Sequence, residues 1–263
     1  MHRIGAVSYL NTKPLIEGLA GDPQARLILD LPSRLSHLLE TDQIDVGLIP
    51  IVDYLRQPAL SLIPGISIAC DGPVLSVMIF SRVPMDRVRT LACDEGSQTS
   101  VALARLLFAR RFGAIPDGRP FPLFAKAESI LEDAVLLIGN RALCAELPDF
   151  PYCWDLGLEW KRETGLPMVF AVWAAVPAAP VERIGSLLKK AKERGLARCA
   201  RLAHEGSIEL GIDGALCRRY LEQIIRFDLG PAECQAIARF AALSLAHGLI
   251  AKGYNRNHEL LSA

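Results

Sequence analysis

Apolar runs and helix-spaced apolar residues alternate along the first eighty positions of the chain. Short apolar runs at residues 3–7, 26–29 and 44–50 predict β-strands, whereas the leucines within residues 32–40 recur at helical spacing. A shorter helix is predicted at residues 14–19, before a glycine and a proline. Strands that alternate with helices are typical of β-α-β units, so this part of the chain is expected to form a parallel sheet.

The pattern changes near residue 60 and then starts again. Two apolar runs, residues 60–69 and 74–80, are separated by a Gly-Pro turn. After Pro180 the apolar residues recur at helical spacing almost to the end of the chain, which predicts a helical C-terminal tail. The elements predicted beyond residue 82 are strands at 88–93, 135–138 and 169–176, a helix at 101–112, a loop at 118–122, and helices at 181–202, 213–227 and 231–249.

Two α/β units joined by long apolar runs predict two lobes with a cleft between them. We expect residues 74–80 and 169–176 to be crossover strands, each passing once between the lobes. Lobe one would then be discontinuous, formed by residues 1–80 and 177–263, and lobe two would be the inserted residues 81–176. A hinge of this kind lets two lobes close over a ligand and exclude water.

Composition narrows the partners that this chain is expected to have. Hydrophobic residues make up 51% of the 263 residues, and 29 basic side chains balance 29 acidic ones. Zero net charge without a dense basic block argues against nucleic acid or an anionic membrane as the main partner. No apolar run reaches the roughly 20 residues that cross a bilayer, and residues 1–5 lack a basic and then apolar leader. We therefore expect a cytoplasmic protein that holds any anion locally with a few donors. The sequence leaves both a monomer and a homodimer open.

The cysteines and histidines do not form a recognisable site in the sequence. Seven scattered cysteines without a C-x-x-C pair indicate reduced thiols rather than a disulfide framework. Five dispersed histidines show no H-E-x-x-H spacing. No metal site is expected.

Polar side chains follow the first predicted strand directly. Ser8, Tyr9, Asn11 and Thr12 lie where open α/β sheets bind small molecules, in the crevice beyond the carboxyl ends of the strands. The alternative is a polar turn in which Ser8 or Asn11 caps the helix that begins near Pro14. Local sequence leaves both interpretations open.

A second polar turn precedes the helix predicted at 101–112. It contains Ser97, Thr99 and Ser100, whose hydroxyls and free backbone N–H groups at a helix start suit a carboxylate or a phosphate. An ordinary helix cap explains the turn equally well. It is neither a Walker loop nor a dinucleotide-binding fingerprint.

Three further candidate residues lie within or directly after apolar runs. Ser76 lies inside the run at 74–80, where a strand hydroxyl bonded to a neighbouring carbonyl is the alternative interpretation. Gly139 and Asn140 follow the buried strand predicted at 135–138, where a helix starts. The sequence therefore predicts that several polar segments meet at one cleft.

Six segments in order resemble the chorismate dehydratase family of the futalosine route to menaquinone. They cover most of the chain from residue 3 to about residue 175, and the helical tail adds nothing to the resemblance. The chain differs from the usual family pattern at Gln98, where the family has an arginine, and at Asn140, where it has an aspartate. The segments are VSYLNTKPL (7–15), DVGLIP (45–50), CDGPVLS (70–76), SQTSV (97–101), LIGNRAL (137–143), and DLG through TGLPMVFAVW (155–173).

The resemblance implies a two-lobed type II periplasmic-binding-protein fold and a cofactor-independent hydro-lyase. Such an enzyme removes water from chorismate to give 3-[(1-carboxyvinyl)oxy]benzoate, and the resemblance assigns its substrate-contacting amide to Asn11 and its hydroxyl to Ser76. Neither group is basic at neutral pH, so we expect the enolpyruvyl carboxylate of the substrate to take the ring C3 proton. Asp45 and Asp53 remain rival bases. The other substrate-binding candidates are Ser8, Tyr9, Thr12, Ser97, Thr99, Ser100, Gly139 and Asn140.

Two alternative functions remain compatible with these residues. One is a non-catalytic protein of the same fold that binds small carboxylates, because fold alone does not determine function. The other is the later naphthoate-forming enzyme of the same pathway, which shares the fold.

Overall fold

The computed structural model of the chain describes residues 1–96, 98–122, 125, 129–251 and 253–255. Its strands are β1 (His2–Ala6), β2 (Ala25–Leu29), β3 (Val46–Pro50), β4 (Ser61–Cys70), β5 (Val77–Ser81), β6 (Thr90–Asp94), β7 (Asp117–Phe121), β8 (Ala134–Ile138), β9 (Tyr152–Asp155), β10 (Met168–Ala175) and β11 (Ile225–Arg226).

The helices alternate with the strands up to residue 164 and then dominate the C-terminal part of the chain. They are α1 (Lys13–Ile16), α2 (Pro32–Glu40), α3 (Ile51–Arg56), α4 (Gln98–Phe112), α5 (Gly139–Leu143), α6 (Leu156–Thr164), α7 (Val181–Leu196), α8 (Cys199–Leu210), α9 (Gly214–Arg219) and α10 (Pro231–Ala246). Residues Leu10–Thr12 and Met85–Arg87 form 3₁₀ turns, and Tyr220–Ile224 form a π-helical turn after α9. Among the described residues, no helix is long and apolar enough to cross a membrane.

The first sheet has six strands in the order β2-β1-β3-β10-β4-β11. Strand β1 pairs in parallel with β2 and β3, as the β-α-β pattern predicts, whereas β10 is antiparallel to β3 and β4. All five residues of β3 are buried, which explains why this central strand is apolar throughout. A Cβ at Gly5 in β1 would lie 2.8 Å from Cδ2 of Leu35, so glycine lets α2 pack closely on the sheet.

The second sheet has five strands in the order β7-β6-β8-β5-β9. Strand β6 is parallel to β7 and β8, whereas β5 is antiparallel to β8 and β9. The central strand β8 is again buried at all five positions. Two mixed sheets with helices between their strands confirm the predicted α/β class.

The two edge strands of the second sheet differ from the sequence predictions. The loop predicted at 118–122 is wrong, because most of that segment belongs to β7, and β9 was predicted as neither strand nor helix. Four of the five β7 residues are exposed, and the strand contains Gly118 and Pro120. Edge strands tolerate proline and polar residues because one side of their backbone faces solvent, so their sequences resemble loops.

The chain passes between the sheets outside the strands. Strand β5 lies wholly in the second sheet and β10 wholly in the first, so the passages are residues 71–76 and 165–167. Sheet membership therefore changes near residues 76 and 167, whereas the predicted lobe borders are 80 and 176. Beyond β10 the chain stays at the first sheet, where α7 packs against β4 and α10 against β10.

Candidate active site

A cavity lies between residues of the two sheets, and its empty space, counted together with the open solvent at its mouth, is about 570 Å³. Its walls come from the segment after β1, the end of β3, the passage before β5, and the starts of α4 and α5. The lining is mostly apolar, and among the described residues it contains no charged side chain. A largely apolar cavity with a few polar groups is typical of small-molecule sites.

Asn11, Tyr220 and Ser76 form a buried hydrogen-bonded chain at this cavity. The amide nitrogen Nδ2 of Asn11 donates to the Tyr220 hydroxyl oxygen at 2.9 Å, and the Tyr220 hydroxyl donates to Oγ of Ser76 at 2.7 Å. Their exposed fractions are 8%, 1% and 2% in that order. Asn11 and Ser76 both line the cavity, and Tyr220 connects these two polar residues through its hydroxyl.

The 3₁₀ turn after β1 positions Asn11. The N–H of Thr12 donates to the Tyr9 carbonyl at 3.0 Å and closes this turn. In the described structure, neither the turn nor α1 receives a side-chain cap. The capping interpretation of Ser8 and Asn11 is therefore wrong, and the Asn11 amide remains available to the cavity.

An unusual backbone conformation positions Ser76. The preceding residue, Leu75, has a φ of +60°, which residues other than glycine rarely adopt. The Asp155 carboxylate accepts the N–H of Leu75 at 2.7 Å and that of Val74 at 2.9 Å, and it also accepts the N–H of Leu158 at the start of α6. A carboxylate at the end of β9 thus holds the turn that directs Ser76 toward Tyr220.

Tyr9 and Gly139 approach each other closely on the cavity wall. A Cβ at Gly139 would lie 3.1 Å from three carbons of the Tyr9 ring, and Gly139 has a φ of +56°. The Gly139 N–H donates to the Ser76 carbonyl at 2.8 Å. Burial, with a smaller contribution from the nearby Asp94, raises the pKa of Tyr9 to about 12, so its hydroxyl keeps its proton at neutral pH.

Two hydrogen bonds beside the cavity join the sheets. The backbone N–H of Leu10 donates to Oδ1 of Asn140 at 3.0 Å, and the N–H of Val52 donates to Oγ1 of Thr99 at 3.2 Å. Both acceptors belong to helices that follow strands of the second sheet, and both donors follow strands of the first. These contacts hold the two sides of the cavity together.

The structure divides the predicted site residues into two groups. Tyr9, Asn11, Ser76, Ser100 and Gly139 line the cavity.

The other predicted residues are not part of that lining. Ser8 is exposed, and Thr12 is buried, with its hydroxyl 3.5 Å from Oδ1 of Asn11. Thr99 and Asn140 accept the two backbone N–H groups described above, so their polar atoms bind protein. Ser97 lies outside the described residues.

The rival bases Asp45 and Asp53 are engaged elsewhere. Asp45 accepts hydrogen bonds from the Arg3 backbone at 2.7 Å and from its guanidinium, and these bonds lower its pKa although burial opposes them. Asp53 accepts a hydrogen bond from Ser36 at 2.7 Å, and burial raises the pKa of this carboxyl. Neither aspartate lines the cavity.

Sequence reasoning missed Tyr220. It lies in the segment 213–227, which was predicted as a helix without chemistry, and nothing local distinguishes this tyrosine from a core residue. Its π-helical turn is a signal visible only in the structure, since such turns occur frequently at functional sites.

The structure provides no evident metal centre in the part of the chain that it describes. No group of three or more His, Cys, Asp or Glu side chains there is arranged to hold a metal ion. All seven cysteines lie within the described residues, and none of them forms a disulfide.

Comparisons with known proteins agree with this architecture. A family model described as menaquinone biosynthesis matches residues 2–245. A chorismate dehydratase of Thermus thermophilus is 30% identical over 246 residues, which cover 83% of this chain and 86% of that protein.

Solved structures of lower identity share the fold. The Archaeoglobus fulgidus protein AF1704 superposes with a TM-score of 0.74 at 16% identity, covering 95% of this chain and 98% of the other. The periplasmic aliphatic sulphonate binding protein SsuA of Escherichia coli gives a TM-score of 0.65 at 15% identity, covering 99% and 96%. The predicted periplasmic-binding-protein fold is thereby confirmed.

Proposed function

The chain belongs to the menaquinone-biosynthesis family, and from this premise we propose that it acts as a chorismate dehydratase. Such an enzyme is a hydro-lyase that converts chorismate into 3-[(1-carboxyvinyl)oxy]benzoate and water. The observation that carries the proposal is the joint position of Asn11 and Ser76. Both residues are buried and line one cavity, and both belong to segments that resemble the dehydratase family. The T. thermophilus relative supports the same activity.

The reaction balances without an oxidant or a reductant. A proton leaves ring C3 and hydroxide leaves ring C4, while the electrons of the C3–H bond form the new ring double bond. The released proton and hydroxide make one water. Because the ring becomes aromatic, the elimination is strongly downhill, and we propose that it needs no cofactor.

The enolpyruvyl carboxylate of the substrate is the proposed base. Within the described residues, the cavity lining contains no carboxylate, imidazole or amine that could take the C3 proton. Asn11 is an amide, and the hydroxyl of Ser76 has no basic neighbour, since its recorded partner is the phenol of Tyr220. In this mechanism Asn11 and Ser76 hold the enolpyruvyl group in a reactive conformer, which is catalysis by orientation.

Neutral groups are proposed to hold the second carboxylate. Ser100 lines the cavity near the start of α4, whose first turn presents the positive end of the helix dipole. Tyr9 contributes an uncharged hydroxyl. The substrate-binding roles predicted for Thr99, Thr12 and Asn140 are then indirect, because these side chains shape the cavity through protein contacts.

Domain organisation and location extend the proposal. We propose that each sheet forms the core of one lobe, with the borders near residues 76 and 167 rather than at the predicted 80 and 176, which leaves the cavity between the lobes and lets closure exclude water. The different sheets of β1 and β8 support this division. A cytoplasmic monomer or homodimer without nucleic acid or membrane partners is also proposed, and seven cysteines without a disulfide support the reducing compartment.

Incubation of the protein with chorismate tests the function. We expect an aromatic product that is lighter than chorismate by one water, and a loss of turnover by orders of magnitude in Asn11→Ala with an unchanged far-ultraviolet circular dichroism spectrum. Titration calorimetry that records chorismate binding without any product would instead establish a carboxylate-binding protein. Recovery of unbound, unchanged chorismate would contradict both functions.

A further inference from the structure

Tyr220 carries a polar group deep in the protein, where a phenylalanine would fill nearly the same space. Its hydroxyl lies behind the cavity wall, and the described structure records two side-chain partners for it, Asn11 and Ser76. Burying a hydroxyl is unfavourable unless it is hydrogen-bonded, and here both bonds join groups that line the cavity. The position of Tyr220 is thus tied to the site rather than to the core around it.

The order of donors along this chain determines what Ser76 can offer to a ligand. The Asn11 amide gives a proton to the Tyr220 oxygen, so the Tyr220 hydroxyl gives its own proton to Oγ of Ser76. The Ser76 oxygen is then occupied as an acceptor on the protein side. Its own O–H can then point into the cavity and donate to a carboxylate of a ligand. An ionised carboxylate accepts hydrogen bonds and donates none.

The opposite order would give the opposite result. Suppose instead that Ser76 donated to Tyr220, and Tyr220 to the carbonyl of Asn11. The Ser76 hydroxyl would then present only its lone pairs to a substrate carboxylate. Burial raises the pKa of Tyr220, which keeps the phenol protonated in either case. A phenol is also a stronger donor than an aliphatic hydroxyl, which favours donation from Tyr220 to Ser76.

We propose that Tyr220 is a positioning residue that fixes the direction of the Asn11–Tyr220–Ser76 hydrogen-bond chain, so that Ser76 donates its proton to a carboxylate of the substrate. The inference rests on the proposed dehydratase function for the identity of that substrate. Tyr220 itself touches no reacting atom. It acts through Ser76, and its removal leaves the serine hydroxyl free to rotate.

A double-mutant cycle tests this role. Tyr220→Phe keeps the ring and removes the hydroxyl, and we expect kcat for chorismate to fall roughly 10- to 100-fold, because small losses of orientation at a site are costly. In a Ser76→Ala background, Tyr220→Phe should change kcat by less than about threefold, because the group through which Tyr220 acts is already gone. Tyr54→Phe, at another fully buried tyrosine outside the cavity lining, is the matched control and should keep the parent rate.

Product affinity gives a second readout that does not depend on turnover. In titration calorimetry with 3-[(1-carboxyvinyl)oxy]benzoate, Tyr220→Phe should weaken binding about tenfold in the parent and hardly at all in Ser76→Ala. A parent protein that binds this product but does not dehydrate chorismate would refute the dehydratase function, while the binding cycle would still decide the role of Tyr220. Parent-like rate and affinity in Tyr220→Phe, equal losses in both backgrounds, or no binding by the parent would overturn the inference.

Discussion

Replacing Gly139 by alanine tests whether the contact between the two sheets shapes the cavity. Gly139 has a φ of +56°, and its N–H binds the Ser76 carbonyl at 2.8 Å. The added Cβ would lie 3.1 Å from the Tyr9 ring, so the ring or the backbone must move by a few tenths of an ångström. Either movement changes the position of Tyr9 or Ser76 at the cavity wall.

The expected effect has two parts. Holding an alanine in the left-handed region costs about 1–2 kcal/mol of folding free energy, and the crowded contact with Tyr9 adds to that. Displacement of cavity groups should also lower kcat for chorismate by about tenfold or more, because catalysis by orientation is sensitive to small shifts.

Gly165→Ala separates backbone strain from the contact with Tyr9. Gly165 has a φ of +72°, and a Cβ there would meet no atom within 4 Å. Urea unfolding should show a loss of stability in both variants, and steady-state kinetics should show a loss of rate in Gly139→Ala alone. Equal losses of stability together with parent-like kinetics in Gly139→Ala would refute the reasoning.

Variants at three further positions test other contacts. Asp155→Asn should lower the free energy of unfolding by about 1–3 kcal/mol and also lower kcat, because it weakens the acceptor for the N–H groups of Val74 and Leu75 beside Ser76; urea unfolding and kinetics that match the parent would contradict this role. Asn140→Ala removes the acceptor for the Leu10 N–H and should raise KM for chorismate several-fold. Asn140→Asp keeps an oxygen acceptor, so its KM should stay close to that of the parent. Equal KM values in the two variants would count against the contact. The hydrogen bond from Lys161, assisted by Arg226, lowers the pKa of Asp71, so its stabilisation is present above pH 3.8 and is lost as pH falls through the lowered pKa. Asp71→Asn should therefore lower the free energy of unfolding by at most about 0.5 kcal/mol at pH 7, and it should weaken the dependence of stability on pH below pH 4. Urea unfolding below pH 4 with the same pH dependence as the parent would exclude the effect.

Central elements of the fold could be predicted because their sequence patterns reflect burial. The predicted helix at residues 32–40 coincides with α2, and the apolar run at 44–50 contains the buried strand β3. Edge strand β7 was predicted as a loop because four of its five residues are exposed. Periodicity reports which side chains are buried, so it fails where a strand buries almost nothing.

The candidate site could be predicted only in part, for a different physical reason. Asn11 follows one apolar run and Ser76 lies within another. The resemblance to the dehydratase family placed both of them at the substrate. Tyr220 is 209 positions from Asn11 and 144 from Ser76, and no local pattern links residues at such separations. Residue type also does not reveal where a side chain points. Thr99 and Asn140 carry suitable polar groups, but both accept backbone N–H groups from segments that follow strands of the first sheet.

Doubly labelled chorismate tests the central claim most directly. With deuterium at ring C3 and ¹⁸O in the C4 hydroxyl, the account predicts that mass spectrometry of the product will show 3-[(1-carboxyvinyl)oxy]benzoate free of both labels. The ¹⁸O should appear in water, and Asn11→Ala should form this product orders of magnitude more slowly. Labelled chorismate recovered intact after prolonged incubation with the parent protein would contradict the account.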